Sequence, residues 1–141
     1  MSVKYFLDTN ILIYVFDPTA PLKRERATAL VNRALTSGEG CISLQVAQEF
    51  LHLCQRKFQV PMTAAEAVLY LNDTLRPLCR VFPSVDLLKN ALDVKDRYKF
   101  HFYDALIVAA ALDAGCERLY SEDLNHGQAI ERLRIENPFV T

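Results

Sequence analysis

Four carboxylates, Asp8, Glu49, Asp104 and Asp123, fall where a parallel α/β sheet would gather its strand ends. Asp8 closes the apolar run Tyr5-Phe6-Leu7, Asp104 opens the apolar run from Ala105 to Leu112, and Asp123 comes three residues after Leu119-Tyr120. Clustered carboxylates repel one another and are costly to desolvate. A hard divalent cation, which oxygen ligands suit, is the usual reason to keep such a cluster. The chemistry to expect is Mg²⁺- or Mn²⁺-dependent attack on a phosphodiester.

Each acid also has an ordinary role to set against this one. Asp8, in Leu7-Asp8-Thr9-Asn10, could be a turn residue or a helix N-cap, while Asn10 two residues on adds a second oxygen ligand. Glu49 falls next to Leu53, at the edge of the apolar arc of a helix starting near Leu44. There it either keeps its head in water or leans into a crevice one turn beyond a strand end. Asp104 is the only charged residue between His101 and Asp113, and it stands at the mouth of a helix apolar all round, where a carboxylate needs a partner. Asp123 lies in Tyr120-Ser121-Glu122-Asp123-Leu124-Asn125, where Glu122 competes for the ligand role and Ser121 could hydrogen-bond a ligand or a water.

The elements that must position these groups alternate. A strand over residues 3–7 precedes a short helix over Ile11 to Phe16. Apolar residues between Pro21 and Thr36 have helical spacing, with proline near the start and Gly38 just past the end. Cys41-Ile42-Ser43 reads as a second strand, and Ser43 as the N-cap of a helix from Leu44 to Lys57. Thr63 and Glu66 form a capping box. A third strand is expected over Leu78 to Phe82, a helix capped by Ser84 after it, a fourth strand over Glu117 to Tyr120, and an edge strand over Pro138 to Val140. The expected architecture is a single three-layer α/β/α domain over residues 1–141 with a short central parallel sheet of four to five strands. Ligands of such sheets bind beyond the carboxyl ends of the strands, where Asp8 and Asp123 lie.

The bulk properties narrow the rest. The 141 residues are 51% apolar and 23% charged with net charge −1, so any nucleic-acid partner must use a local basic patch. Two such patches are Lys95-Asp96-Arg97-Tyr98-Lys99-Phe100-His101 and the group Lys23, Arg24, Arg26. The four cysteines contain no C-x-x-C pair and sit in apolar surroundings, which reads as reduced core residues in a cytoplasmic protein. No signal-peptide pattern and no run near the roughly 20 apolar residues of a spanning helix is evident, so no membrane association is expected. A haloacid-dehalogenase-like phosphatase would need a second Asp where Asn10 stands, and Gly38-Glu39-Gly40 lacks the third glycine of a dinucleotide fingerprint.

Phe6-Leu7-Asp8-Thr9-Asn10-Ile11-Leu12, Glu49 in its helix, Tyr103-Asp104-Ala105-Leu106-Ile107-Val108-Ala109 and Tyr120-Ser121-Glu122-Asp123-Leu124 together resemble a PIN-domain ribonuclease, most like the VapC-type toxins of toxin–antitoxin pairs. The resemblance spans nearly the whole chain. It implies an acidic cluster of Asp8, Glu49, Asp104 and Asp123 that holds Mg²⁺ or Mn²⁺, with Asn10 and Ser121 as accompanying polar groups, and cleavage of RNA. It further implies a homodimer blocked by a small VapB-like antitoxin. The run Ile11 to Phe16 and the helices on either side of Pro61 could form partner surfaces or equally intramolecular core. The alternative is a non-catalytic PIN-like RNA-binding or regulatory module.

Overall fold

A computed structural model of the chain describes residues 3–140. Its frame is a six-stranded sheet built from Tyr5–Leu7 (β1), Gly40–Ser43 (β2), Cys79–Val81 (β3), Arg118–Tyr120 (β4), Ala129–Ile130 (β5) and Leu133–Glu136 (β6), in the order β3-β2-β1-β4-β6-β5. All neighbours are parallel except the β5–β6 hairpin. Every residue of β1 and β2 is buried, so both faces of the sheet centre are covered, as a parallel sheet requires.

The connecting helices follow their sequence signals. Thr9–Tyr14 (α1) begins immediately after β1, and Pro21–Ser37 (α2) starts on its proline and stops at Gly38, which takes φ 73°. Leu44–Cys54 (α3) is capped by Ser43, whose hydroxyl accepts the Val46 N–H. Ala64–Tyr70 (α4) starts with the full Thr63–Glu66 capping box and continues through a wider turn over Leu71–Leu75 into Arg76–Leu78 (α5). Val85–Tyr98 (α6), capped by Ser84, packs along Phe102–Asp113 (α7). The apolar run within α7 is buried from Ile107 to Ala111. All four cysteines are free thiols, three of them buried. Among the described residues no helix is long and apolar enough to cross a membrane.

The last third departs from expectation. Pro138 to Val140 is not a strand; β6 and, at the edge, β5 extend the sheet beyond β4, and the sheet has six strands rather than four or five. The alternation of buried Leu133 and Ile135 with Arg134 and Glu136 is a period-two signal over only four residues, with Glu131 at φ 55° in the tight turn before it. Pro138 has no N–H to give to a ladder. Its carbonyl instead accepts a hydrogen bond from Arg26 Nη1 at 2.8 Å. The run from Ile11 also turns inward: Ile11 and Leu12 are fully buried, and Phe16 packs among Phe50, Phe58 and Tyr70. It is core, not a partner surface, whereas α4 leaves Val68 and Leu69 exposed.

Candidate active site

Asp8 is fixed at both ends. Its backbone N–H continues the ladder to the Tyr120 carbonyl at 3.0 Å, and its side chain caps α1, Oδ1 accepting the Thr9 N–H at 2.7 Å. Oδ2 accepts the Ser121 hydroxyl at 2.7 Å. β1 and β4 are in register, Leu7 opposite Tyr120, so the first residue beyond each strand, Asp8 and Ser121, meets the other. Two residues far apart in sequence are thereby joined by the sheet alone.

Ser121 is fully buried and its hydroxyl is saturated. It donates to Asp8 and accepts from Asn10 Nδ2 at 3.4 Å and from the Asp123 N–H at 3.2 Å. Asn10 bridges the same loop: Nδ2 donates to Asp123 Oδ2 at 3.1 Å, and Oδ1 accepts the Glu122 N–H at 3.2 Å. The Asp8, Asn10, Ser121 and Asp123 side chains thus form one connected network.

Glu49 enters from α3, two turns past the Ser43 cap that sets the helix on the end of β2. Both of its oxygens have donors, Thr9 Oγ1 to Oε2 at 2.7 Å and Gln45 Nε2 to Oε1 at 2.9 Å. Asp104 stands in the first turn of α7, and its carboxylate has no hydrogen-bond or ion-pair partner among the described residues. The four acids line one cleft of about 360 Å³, whose wall also includes Asn10 and Tyr103.

The charges in that cleft are in tension. Burial, together with the charges of Glu49 and Asp123, pushes the Asp8 carboxyl up to about 6, against hydrogen bonds from Ser121 and Thr9 that favour the ionised form. Burial likewise raises Asp104, with His101 opposing and Asp123 and Glu49 adding to it. Glu122 is the contrast. Burial acts to raise it, but hydrogen bonds from Lys23 and Tyr14 outweigh that and hold its carboxyl below the usual range. Both Glu122 oxygens are engaged, one by Tyr14 and one by Lys23 at 2.5 Å. Both loop acids line the cleft, but Glu122 is engaged by Tyr14 and Lys23 whereas the charge of Asp123 acts on both Asp8 and Asp104.

The donor set suits a hard, hydrated divalent ion. Among the described residues no three Asp, Glu, His or Cys side chains stand close enough together to hold a metal ion between them. Mg²⁺ takes one or two carboxylates and keeps several waters, so an open set of oxygen donors is the arrangement it needs. Asp104 has no protein partner among the described residues, and burial disfavours the ionised form of both Asp8 and Asp104, a strain that a nearby cation would relieve.

Three contributors were not singled out in the sequence: Thr9 and Gln45, which hold Glu49, and Tyr14, which holds Glu122. Only the three- or four-residue helical spacing from Gln45 to Glu49 hinted at any of them. The expected basic groups divide. Lys23 is tied to Glu122 and Arg26 to the Pro138 carbonyl, while Arg24 is exposed without a side-chain partner among the described residues. In the other, Lys95, Lys99 and His101 are exposed while Tyr98 and Phe100 pack partly against the core. His126 is held in the final loop, its Nδ1 accepting the Asn137 N–H.

Comparison with known proteins adds independent support. The sequence model of the family described as PIN domain matches residues 5–131. No curated protein sequence matches. Among solved structures, the chain is similar to a toxin–antitoxin complex from Klebsiella pneumoniae, at 21% identity over 96% of this chain and 98% of that one, with a TM-score of 0.67. It is also similar to VapBC2 from Rickettsia felis bound to a DNA fragment from their promoter, at 15% identity and a TM-score of 0.61, again over 96% and 98% of the two chains. FitAcB from Neisseria gonorrhoeae is a third, at 16% identity, 96% and 98% coverage and a TM-score of 0.60. At these identities the likeness is one of fold.

Proposed function

Since the chain belongs to the PIN-domain family, we propose that it is a divalent-metal-dependent endoribonuclease, the toxin of a type II toxin–antitoxin pair. The observation that carries the reading is the convergence of Asp8, Glu49, Asp104 and Asp123 on one cleft, with Asp8 and Asp104 both pushed toward protonation. Asp8, Asp104 and Asp123 are the residues that would hold Mg²⁺ or Mn²⁺, directly or through waters. When bound, such an ion supplies charge neutralisation at the scissile phosphate and lowers the pKa of water.

The chain's own residues do the rest. Ser121 and the Thr9 N–H keep Asp8 oriented and favour its ionised form. Asn10 fixes the Asp123 carboxylate beside it. Glu49, pinned through both oxygens, orients the attacking water and takes its proton as the water oxygen bonds to phosphorus and the bond to the leaving oxygen breaks. Gln45 also donates to the Tyr103 carbonyl at 3.3 Å, tying α3 to the start of α7 and hence Glu49 to Asp104.

The likeness to the Klebsiella toxin–antitoxin complex supports a cognate, VapB-like antitoxin as partner. A cytoplasmic location, with which the four free thiols agree, and a homodimer complete the reading. The test is cleavage of a mixed RNA pool by purified protein with Mg²⁺, Mn²⁺ or EDTA, beside Asp8→Ala and Asp104→Ala. Metal-dependent cleavage absent from both variants is the expected result. Cleavage that persists in EDTA or in either variant would remove the assignment.

A further inference from the structure

A second cleft of about 400 Å³ opens beside the acidic one, between the α1–α2 loop and the loop after α3. The two share Ile13 and Asp17, so they meet at that point of the wall. Beyond it a smaller cavity of about 250 Å³ shares Phe16, Pro18, Phe58 and Gln59, which makes a continuous trough leading away from the carboxylates. The volume of the main part lies within the roughly 300–1,000 Å³ typical of small-ligand sites.

We infer that this trough holds an unpaired nucleotide of the RNA strand next to the one being cleaved, with Phe58 as the stacking surface and Lys57 as the phosphate contact. The inference rests on the ribonuclease reading above and extends it to substrate recognition.

Three features carry it. The first is a braced aromatic floor. Phe58 stacks on Phe16 at 5.1 Å and 26°, and Phe16 is held edge-on by Tyr70 at 5.3 Å. Phe58 itself is only half-buried and lines both parts of the trough. The second is uncommitted positive charge. Arg56 and Lys57 are exposed and form no ion pair among the described residues, whereas Lys23 is spent on Glu122, which lines the acidic cleft. A polyanion crossing four carboxylates needs cations on the flanking wall, and Lys57 stands on this one. The third is that the two acids of the trough are engaged locally: Asp17 Oδ1 accepts both the N–H of Thr19, at 2.9 Å, and its hydroxyl, at 2.6 Å, and Glu66 Oε1 accepts the Thr63 N–H at 2.9 Å.

An aromatic face beside a cation binds single strands, because a base must be unstacked to reach it. Gln59, exposed on the rim, presents an amide that can donate and accept at a base edge. Selection of the RNA target would then be exercised at the flanking base and not at the scissile phosphate.

The test is binding of a short fluorescein-labelled single-stranded RNA pool, read by anisotropy in EDTA on the Asp104→Asn background, so that affinity is measured without hydrolysis. Phe58→Leu should weaken binding by roughly tenfold, within the range of about 5- to 150-fold per stacked base, and Phe58→Tyr should restore it. Lys57→Gln, on the surface, should lower the slope of log affinity against log salt by about 0.7. In the otherwise unaltered chain both changes should raise KM and leave kcat within about twofold. Equal affinity for single-stranded RNA in Phe58→Leu, Lys57→Gln and the parent would overturn the inference, and would do so even if the parent cleaves RNA normally. Phe58-dependent binding without any cleavage by the unaltered protein would instead leave the subsite standing and remove the nuclease reading.

Discussion

Asp8→Asn should make the metal-free protein more stable at neutral pH while abolishing its activity. Asp8 is 7% exposed, and its carboxyl is raised from 3.8 to about 6, chiefly by burial. A raised acid holds more protons in the folded chain than in the unfolded one between those two values. Its favourable contribution is therefore complete below about pH 4 and is lost as pH climbs through about 6. Two units at about 1.4 kcal/mol each put the cost of the ionised group near 3 kcal/mol at pH 8. Asparagine is the neutral isostere, so it should recover about 2–3 kcal/mol, the shortfall arising because its amide meets the Ser121 hydroxyl, whose lone pairs are already taken. For a chain of this length the gain corresponds to roughly 6–9 °C in Tm.

The assay is calorimetric melting of both proteins in EDTA at pH 4 and pH 8, repeated at pH 8 with Mn²⁺. The variant should melt higher at pH 8 and level with the parent at pH 4. Mn²⁺ should raise the parent and leave the variant nearly unmoved, because bound ion stabilises only the state that holds it. An Asp8→Asn protein less stable than the parent at pH 8 in EDTA would refute the reasoning. The ionised carboxylate would then be a net stabiliser and the cluster would carry no charge tension for a cation to relieve.

Three further outcomes are expected. Asp104→Asn should keep the parent's circular dichroism and lose more than about 100-fold in metal-dependent cleavage, beyond the 10- to 100-fold typical of groups that act only by orienting a ligand. Thr9→Val, which removes the 2.7 Å donor to Glu49 without changing shape, should lower kcat by about 10- to 100-fold with KM little altered; an unchanged kcat would separate Glu49 from the reaction. Gly40→Ala should lower the urea midpoint by the equivalent of about 1–3 kcal/mol or more, since its new Cβ would lie 2.5 Å from both Ala34 Cβ and the Tyr5 ring.

Legibility in the sequence tracked the range of the signal. Elements with local chemistry were readable almost to the residue: the Thr63–Glu66 box, the Ser43 and Ser84 caps, and Pro21 with Gly38 bracketing α2. The gathering of Asp8, Glu49, Asp104 and Asp123 was legible because a parallel sheet dictates where its strand ends lie. What escaped depends on tertiary register. The β5–β6 hairpin is two residues against four, below the length at which alternation stands out. Thr9 was hidden because a threonine after an N-cap is unremarkable until α3 brings Glu49 to it. Lys23 looked like a free cation because nothing local joins α2 to the loop after β4; the ion pair with Glu122 spans most of the chain.

The two walls of the cleft differ in how firmly they are built, and the difference has a chemical use. On the wall at the ends of β1 and β4, the Ser121 hydroxyl has no unused donor or acceptor, and Asn10 is engaged through both ends of its amide. Moving the buried Asp8 carboxylate there means breaking the hydrogen bonds from Ser121 and the Thr9 N–H together, while the exposed Asp123 carboxylate is held by Asn10 alone. On the other wall Asp104 has no protein partner and stands on a helix whose other face is locked into the core. One wall holds its donors at fixed positions, and the other presents a carboxylate that can bind a ligand without giving up an existing side-chain hydrogen bond. Preorganisation on one side with an unsatisfied acid on the other is what binding an ion reversibly demands: a fully satisfied pair of walls would have no reason to take the ion, and two unsatisfied ones would not stay folded around it.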